Sequence, residues 1–362
     1  MTESVKKRNA NMDLLRIFSM MMVTTLHALD KSGLLQSFTK DVSFNGVIAW
    51  IMESLSIGAV NIFMLISGYF LIDSEFRIRR LLEIVFQTFF YAFIPYAIFY
   101  VAGLIPAEEK DFYHFLNSFL PVHMNTYWFI TAYIVLYMLS PIISRGVKAL
   151  TKKSFVTVLI CLLIYECFFK SILPIRLTTD TQGYGFLWYL IVFLIGAGFK
   201  LFGTGHADSA AKGWILYFCG AATVLFSTVT IGMFIKHTGR LVGLEKLFLE
   251  YNHVFVLMTA LGIFAAFIHM KPMNEKAGRV VCAISPMALG VYLLQESPVI
   301  RFEWQKWFGL PDIMGLPSPL FVLRVLAAVL GMYVIGTAVD YIRRLLFKAF
   351  EKIFEKKQPV GE

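Results

Sequence analysis

The sequence predicts an all-α, polytopic integral membrane bundle of about ten transmembrane helices with both termini cytoplasmic. Composition is the first observation behind this. Of 362 residues, 58% are hydrophobic and only 16% charged, with a mean hydropathy of +0.68. Soluble globular chains run nearer 45–50% apolar and about 25% charged. The second observation is the length of the uncharged stretches. Residues 84–107 (24 positions) and 112–144 (33 positions) contain no Asp, Glu, Lys or Arg, and roughly 20 apolar residues suffice to cross a ~30 Å hydrocarbon core as a helix.

Spans are expected at 13–31, 46–72, 82–105, 126–146, 154–173, 184–203, 213–236, 252–270, 279–298 and 319–342. The ninth is short and interrupted by Pro286 and Pro298. No internal repeat or low-complexity linker divides the chain, so one membrane domain is expected over 1–345, followed by a basic cytoplasmic tail over 346–362. The basic start, Val5-Lys6-Lys7-Arg8, is not followed by a small-residue cleavage site and does not read as a removable signal. With the N-terminus inside, the inner segments hold 21 of the 33 Lys and Arg residues and the outer loops 10. The loop holding Glu108, Glu109 and Asp111 against Lys110 suits the outside, and the tail with Arg343, Arg344, Lys348, Lys356 and Lys357 suits an anionic inner leaflet. The net charge of +9 is therefore explained by topology and lipid contact, and no nucleic-acid pattern accompanies it. Tyr127-Trp128, Tyr184 and Trp188-Tyr189 fall at predicted outer ends and read as an interfacial belt. The four cysteines fall inside apolar segments, without zinc-ligand spacing or a loop position suited to a disulfide.

Charged side chains are expensive in hydrocarbon and usually face a bundle interior or wet cavity. The in-membrane polar residues are therefore the functional candidates: Arg16, His27, Glu53, Asn61, Glu166, Glu296 and Arg324. Arg16 and His27 are eleven positions apart, which is three turns and about 20°, so they share one face of the first helix some ~16 Å apart along its axis. That places a fixed cation at one end of a potential cavity and a titratable imidazole, suited to general-base work, at the other. Glu296, just before Pro298, is expected at the depth of His27. Arg77 and Arg80 in Arg77-Ile78-Arg79-Arg80 are three apart, a spacing that shares a helix face and could present two guanidinium forks to one phosphate-bearing ligand. On the residues alone, ordinary positive-inside anchoring is the favoured account of them. Glu166 and Arg324 read as a structural ion pair between spans. Gly196, Gly198, Gly203 and Gly205 follow no strand and read as close helix packing, not as a dinucleotide fingerprint. Ser67 has no base beside it in sequence, and no cluster has metal spacing.

These residues resemble a known pattern. Asn9 to His27, NANMDLLRIFSMMMVTTLH, carries the Arg-x10-His spacing of the membrane acyltransferase family 3. The segment 63–71, FMLISGYFL, is similar to that family's second-span signature, and Arg77-Ile78-Arg79-Arg80 to its Arg-x-x-Arg element. Residues 127–133, and Leu187-Trp188-Tyr189 ahead of Gly196, add weaker support, and the resemblance covers roughly 9–345. It implies a ten-span bundle in the bacterial plasma membrane that moves an acyl group, first of all acetyl, from cytosolic acetyl-CoA to a hydroxyl of an envelope, exported or lipid-linked glycan. By the same resemblance His27 is the catalytic base, Arg16 belongs to the same essential helix, and Arg77 and Arg80 contact the CoA phosphates. Many relatives carry His-Pro near Gln295-Glu296, and a carboxylate stands there instead, so Glu296 is expected to orient His27 or replace a second polar group. No metal or prosthetic group is expected, and the partners are acyl-CoA, a sugar acceptor and membrane lipid, without nucleic acid. The rival reading is a transporter or flippase for an envelope glycolipid, in which the intramembrane His, Glu and Arg form a proton relay. The absence of a visible inverted repeat argues against it.

Overall fold

The computed structural model describes residues 8–38, 41–172 and 180–355. The chain termini around Lys6, Lys7, Lys356 and Lys357 lie outside the described residues, as do Lys40 and Arg176. Among the described residues every regular element is helical, and nine helical segments are long and apolar enough to cross a membrane. Helix α1 is Ala10–Lys31, started by the Asn9 side chain, which accepts from the backbone N–H groups of Asn11 and Met12. The second span, 44–71, is two helices, α2 (Phe44–Ser56) and α3 (Ala59–Leu71), joined by a break at 57–58. Next come α4 (Ile78–Val101), the short loop helix α5 (Phe112–Phe119) and α6 (Trp128–Ala149). The fifth span is α7 (Lys152–Leu163), a π turn at Ile164–Phe168 and α8 (Phe169–Ile172). The wide turn loosens the regular ladder, and Asn252 Nδ2 donates to the Glu166 carbonyl there at 3.1 Å.

Helix α9 (Phe186–Phe202) is the sixth expected span, and at 17 residues it is the shortest of the ten. It lies deep in the bundle, where Trp188, Tyr189, Ile191, Val192 and Phe193 are almost wholly buried. Helices α10 (Ala210–Thr238) and α11 (Val254–His269) follow. The ninth span is α12 (Glu275–Ile284), a 3-10 turn at Ser285–Met287 and α13 (Ala288–Gln295), so the chain breaks at Pro286 as the sequence suggests. Helix α14 (Trp304–Trp307) sits in the next connection, and α15 (Ser318–Glu355) continues well past residue 345.

Large apolar side chains such as Phe86, Phe226 and Leu323 cover the outside. That pattern is a liability in water and the expected surface in lipid. The chain is a polytopic membrane protein. Inside, α3 and α9 meet backbone to backbone: a Cβ on Gly68 would stand 1.9 Å from the Phe193 carbonyl oxygen, and one on Gly196 would stand 2.2 Å from that of Leu65. Gly196 and Gly198 are thus packing glycines, the latter against the Phe155 ring. Gly203 and Gly205 are not. They have φ of +80° and +61° with nothing nearby, and they end α9 and turn the loop.

Candidate active site

The break between α12 and α13, the α3–α9 contact and the inner face of α1 together enclose a cavity of about 800 Å³. Both predicted residues of α1 line it: Arg16 toward one end and His27 toward the other.

At the His27 end, Nδ1 of His27 stands 3.2 Å from Glu296 Oε1. The same carboxylate oxygen is ion-paired with Lys31, one turn further along α1, and the other lies 3.8 Å from Arg301 Nη2. Helix α13 stops at Gln295, so Glu296 caps it and turns toward α1. Arg301 braces this corner from the following loop by donating to the Glu296 and Thr126 carbonyls at 3.1 Å each. Tyr127 donates to the Leu293 carbonyl at 3.1 Å and fixes the start of α6 against α13. Sequence reasoning missed Lys31, although its i+4 spacing from His27 on α1 was the available signal.

Trp128, Tyr251, Tyr292 and Phe129 wall the same end. Trp128 stacks on Tyr189 and Tyr251 at centroid distances of 5.8 and 6.0 Å, and Tyr184 meets its edge at 4.5 Å. The interfacial-belt expectation is therefore corrected. Tyr127, Trp188 and Tyr189 are at most 1% exposed and face the core, and only Tyr184 is substantially open. The wall is fastened from behind: Asn61 receives the Trp188 indole N–H at 2.9 Å and donates to the Tyr251 carbonyl at 2.8 Å. Lys170, buried in α8, binds Asp180 at 2.7 Å, Asn252 at 2.7 Å and Glu250, tying the two loops that present Tyr184 and Tyr251.

At the other end, Arg16 Nη1 donates to Asp13 Oδ1 at 2.6 Å, and its guanidinium lies 5.0 Å from the Phe70 ring centroid. Asp13 is wholly buried and also takes Arg8 Nε at 2.5 Å and the Ser285 hydroxyl at 2.9 Å. It ties α1 to the Pro286 break. Sequence reasoning did not single out Asp13, whose i−3 spacing from Arg16 was the available sign.

Arg80 lines the cavity, but Arg77 does not. Arg77 caps α4 in an extended conformation, and both its backbone groups are held by the Tyr137 hydroxyl at 3.2 and 3.3 Å. The two arginines therefore do not share a helix face, because the helix begins one residue after Arg77. The remaining candidates sit elsewhere. Glu53 is buried in α2, away from the cavity wall. Arg324 Nη2 donates to the Phe308 carbonyl at 3.2 Å, and among the described residues no ion pair joins it to Glu166. That expected pair is not formed. Ser67 lines the cavity with its hydroxyl donated to the Phe63 carbonyl at 2.7 Å. All four cysteines are free, and no metal-ligating group of three forms among the described residues.

A membrane-embedded cavity that joins an arginine-lined end to a histidine–carboxylate pair defines a polytopic protein with an intramembrane reaction or transport chamber. The comparison with known families decides between these. The profile of acyltransferase family 3, an acyltransferase domain, matches residues 9–337, and the chain belongs to that family as a membrane acyltransferase. No curated protein and no solved structure matches it.

Proposed function

We propose that the protein is an O-acyltransferase, acetyl in the first instance, that moves the acyl group of cytosolic acyl-CoA to a hydroxyl of a cell-envelope or exported glycan at the bacterial plasma membrane. The observation that carries this reading is the single cavity that Arg16 and Arg80 line at one end and His27, backed by Glu296, at the other. The CoA nucleotide sits at the Arg80 end, taken as cytosolic, and the pantetheine arm runs along α1 past Arg16. The acceptor enters beside Trp128 and Tyr251.

His27 Nδ1 stands 3.2 Å from Glu296 Oε1 without a formed hydrogen bond; in this reading the two close into one when the substrate is bound, and Nε2 is the basic atom that faces the acceptor. It takes the proton from the acceptor hydroxyl as that oxygen attacks the thioester carbonyl carbon. The carbon–sulfur bond then breaks, and the departing thiolate recovers the proton from the imidazolium. Glu296 holds the ring and stabilises the imidazolium between the two steps. A positioned base of this kind contributes roughly 10²- to 10⁴-fold.

Purified protein, radiolabelled acetyl-CoA and crude envelope glycan test this directly. Glycan-dependent transfer of label that His27→Ala abolishes and Arg80→Ala weakens is the expected result. A folded His27→Ala variant that transfers at near wild-type rate would remove the base assignment. A wild type that neither binds nor cleaves acyl-CoA would remove the donor.

A further inference from the structure

Five cationic side chains line the cavity: Arg8, Arg16, Arg80, Lys200 and Arg344. They are not equivalent. Arg8 and Arg16 share the single Asp13 carboxylate, which holds both in place and offsets one of their two charges. The two carboxylates on the cavity wall, Asp73 and Glu83, are each engaged by a cation outside it: Lys148 at 3.0 Å and Arg79 at 3.2 Å. Arg80 and Lys200 form no ion pair among the described residues. Each lies instead over an aromatic ring, with Lys200 Nζ 4.9 Å from the Tyr69 centroid and Arg80 Cζ 5.5 Å from that of Tyr137. A ring face holds a cation in place without cancelling its charge.

Arg344 is fixed differently. Its Nε donates to Asp340 Oδ2 at 3.0 Å and its Nη2 to the Pro286 carbonyl at 2.9 Å, which leaves Nη1 uncommitted. Asp340 is wholly buried and also receives Gln87, Tyr91 and Arg343, at 3.0, 3.0 and 2.7 Å. The close approach of α13 needs Gly290, where a Cβ would stand 2.5 Å from the Asp340 carboxylate. Helices α4, α13 and α15 thus converge to aim one guanidinium into the cavity. Two cations without counter-ions and a third that is braced form a site for a ligand with several phosphates.

We propose that Lys200, with Arg80 and Arg344, is the collar that holds the phosphates of the acyl donor's nucleotide, with Lys200 and Arg344 in the place that the family resemblance gives to Arg77 beside Arg80. The assignment rests on the acyl-CoA reading. It makes Lys200 a donor-specificity residue and Asp340 a positioning residue.

The discriminating substrate is acetyl-pantetheine, which carries the same thioester without the nucleotide phosphates. Release of free thiol is followed with acetyl-CoA and with acetyl-pantetheine, in phosphatidylcholine nanodiscs that contain no anionic lipid. The wild type, Lys200→Ala and Lys200→Arg are compared, with Lys236→Ala as a control, because Lys236 pairs with Asp41 outside the cavity. The wild type should prefer acetyl-CoA. Lys200→Ala should reduce that preference roughly 10- to 100-fold through KM for acetyl-CoA. Lys200→Arg should restore most of it, and Lys236→Ala should leave it unchanged. An unaltered preference in Lys200→Ala, or an equal loss with both donors, overturns the assignment. A lipid headgroup offers the same phosphate chemistry. If the preference is unaltered while the variant loses stabilisation by added phosphatidylglycerol, the collar binds lipid and the proposal falls. A wild type inactive with either donor removes the acyl-CoA reading, and Lys200's role with it.

Discussion

Glu296 holds two neighbours at once, and replacing it separates its structural role from its chemical one. Lys31 and Glu296 are each only 11% exposed, and the carboxylate is the counter-ion of that lysine as well as the partner of His27. Glu296→Gln keeps shape and volume but leaves Lys31, largely buried, without its partner. Breaking a buried pair from one side costs about 3–5 kcal/mol, whereas exchanging both partners for neutral groups is often close to neutral. Glu296→Gln should therefore lose most of that range in a denaturant titration in mild detergent micelles. Lys31→Met combined with Glu296→Gln should recover most of the loss, a coupling of about 2–4 kcal/mol in the double-mutant cycle. Arg301 is the remaining cation at the corner, and its 3.8 Å separation from Glu296 Oε2 makes its share the smaller one. Activity should not follow stability. Both variants lack the carboxylate behind His27, and both should transfer acyl groups on the order of 10²-fold or more below the wild type. A double variant no more stable than Glu296→Gln would refute the counter-ion argument. A double variant that regains stability and activity together would refute the role of Glu296 in orienting His27.

The α3–α9 contact leaves no room for side chains, so Gly68→Val or Gly196→Val should destabilise the bundle by about 1–3 kcal/mol or more, read as a lower unfolding midpoint in micelles. Trp128→Ala should raise KM for the glycan acceptor roughly tenfold while leaving KM for the donor in place, because Trp128 walls only the His27 end of the cavity. Asp13→Asn should weaken the hold on Arg16 and slow transfer, and Asp13→Glu should recover less than half of it, since the carboxylate meets Arg8, Arg16 and Ser285 in one tight arrangement. Outside the membrane, the His114 backbone N–H, 2.8 Å from Asp111, with added help from its side chain, holds the Asp111 carboxyl below its usual 3.8. A lowered carboxyl stabilises the folded state above its unfolded pKa, and that contribution disappears as pH falls through the lower folded value. Protection factors (exchange relative to the free-amide rate) in the first turn of α5 should thus be higher at neutral pH than in strong acid, and Asp111→Ala should lower them at neutral pH while differing little from the wild type in strong acid.

The spans were legible because hydrocarbon imposes one rule everywhere: a long apolar run must be a helix. That rule locates elements but does not say which neighbour each one meets. The pairing of His27 with Glu296 was within reach, since helix phase and the Pro286 and Pro298 interruptions put both at one depth. The expected shared face of Arg77 and Arg80 does not form, because the i, i+3 argument assumes that the helix has already begun, whereas Arg77 precedes it in an extended conformation and does not line the cavity. The aromatic belt was misjudged for a related reason. Tyr127 and Trp188 carry the composition of an interfacial residue, but only tertiary contact shows that they turn inward. Asp13, Asp340 and Lys170 are the anchors of the buried polar clusters, and each recognises partners from distant helices that no local period connects.

The broken ninth span explains why such a cavity exists at all. An unbroken helix satisfies its own carbonyls, and a bundle of such helices can close completely around an apolar core. At Ser285–Met287 the chain leaves the regular helix, and the freed Pro286 carbonyl accepts from the Arg344 guanidinium while the Ser285 hydroxyl donates to Asp13. The break therefore gathers cations and carboxylates on the arginine side of the membrane. The same ninth span ends at Gln295, which releases Glu296 to meet His27 and Lys31 on the histidine side. One interrupted span thus supplies the carbonyl that holds Arg344 and the carboxylate that meets His27. Chemistry on a substrate that reaches from one membrane face toward the other requires both ends to be built in register, and α1, with Arg16 and His27 on one face, is the straight element against which that register is set.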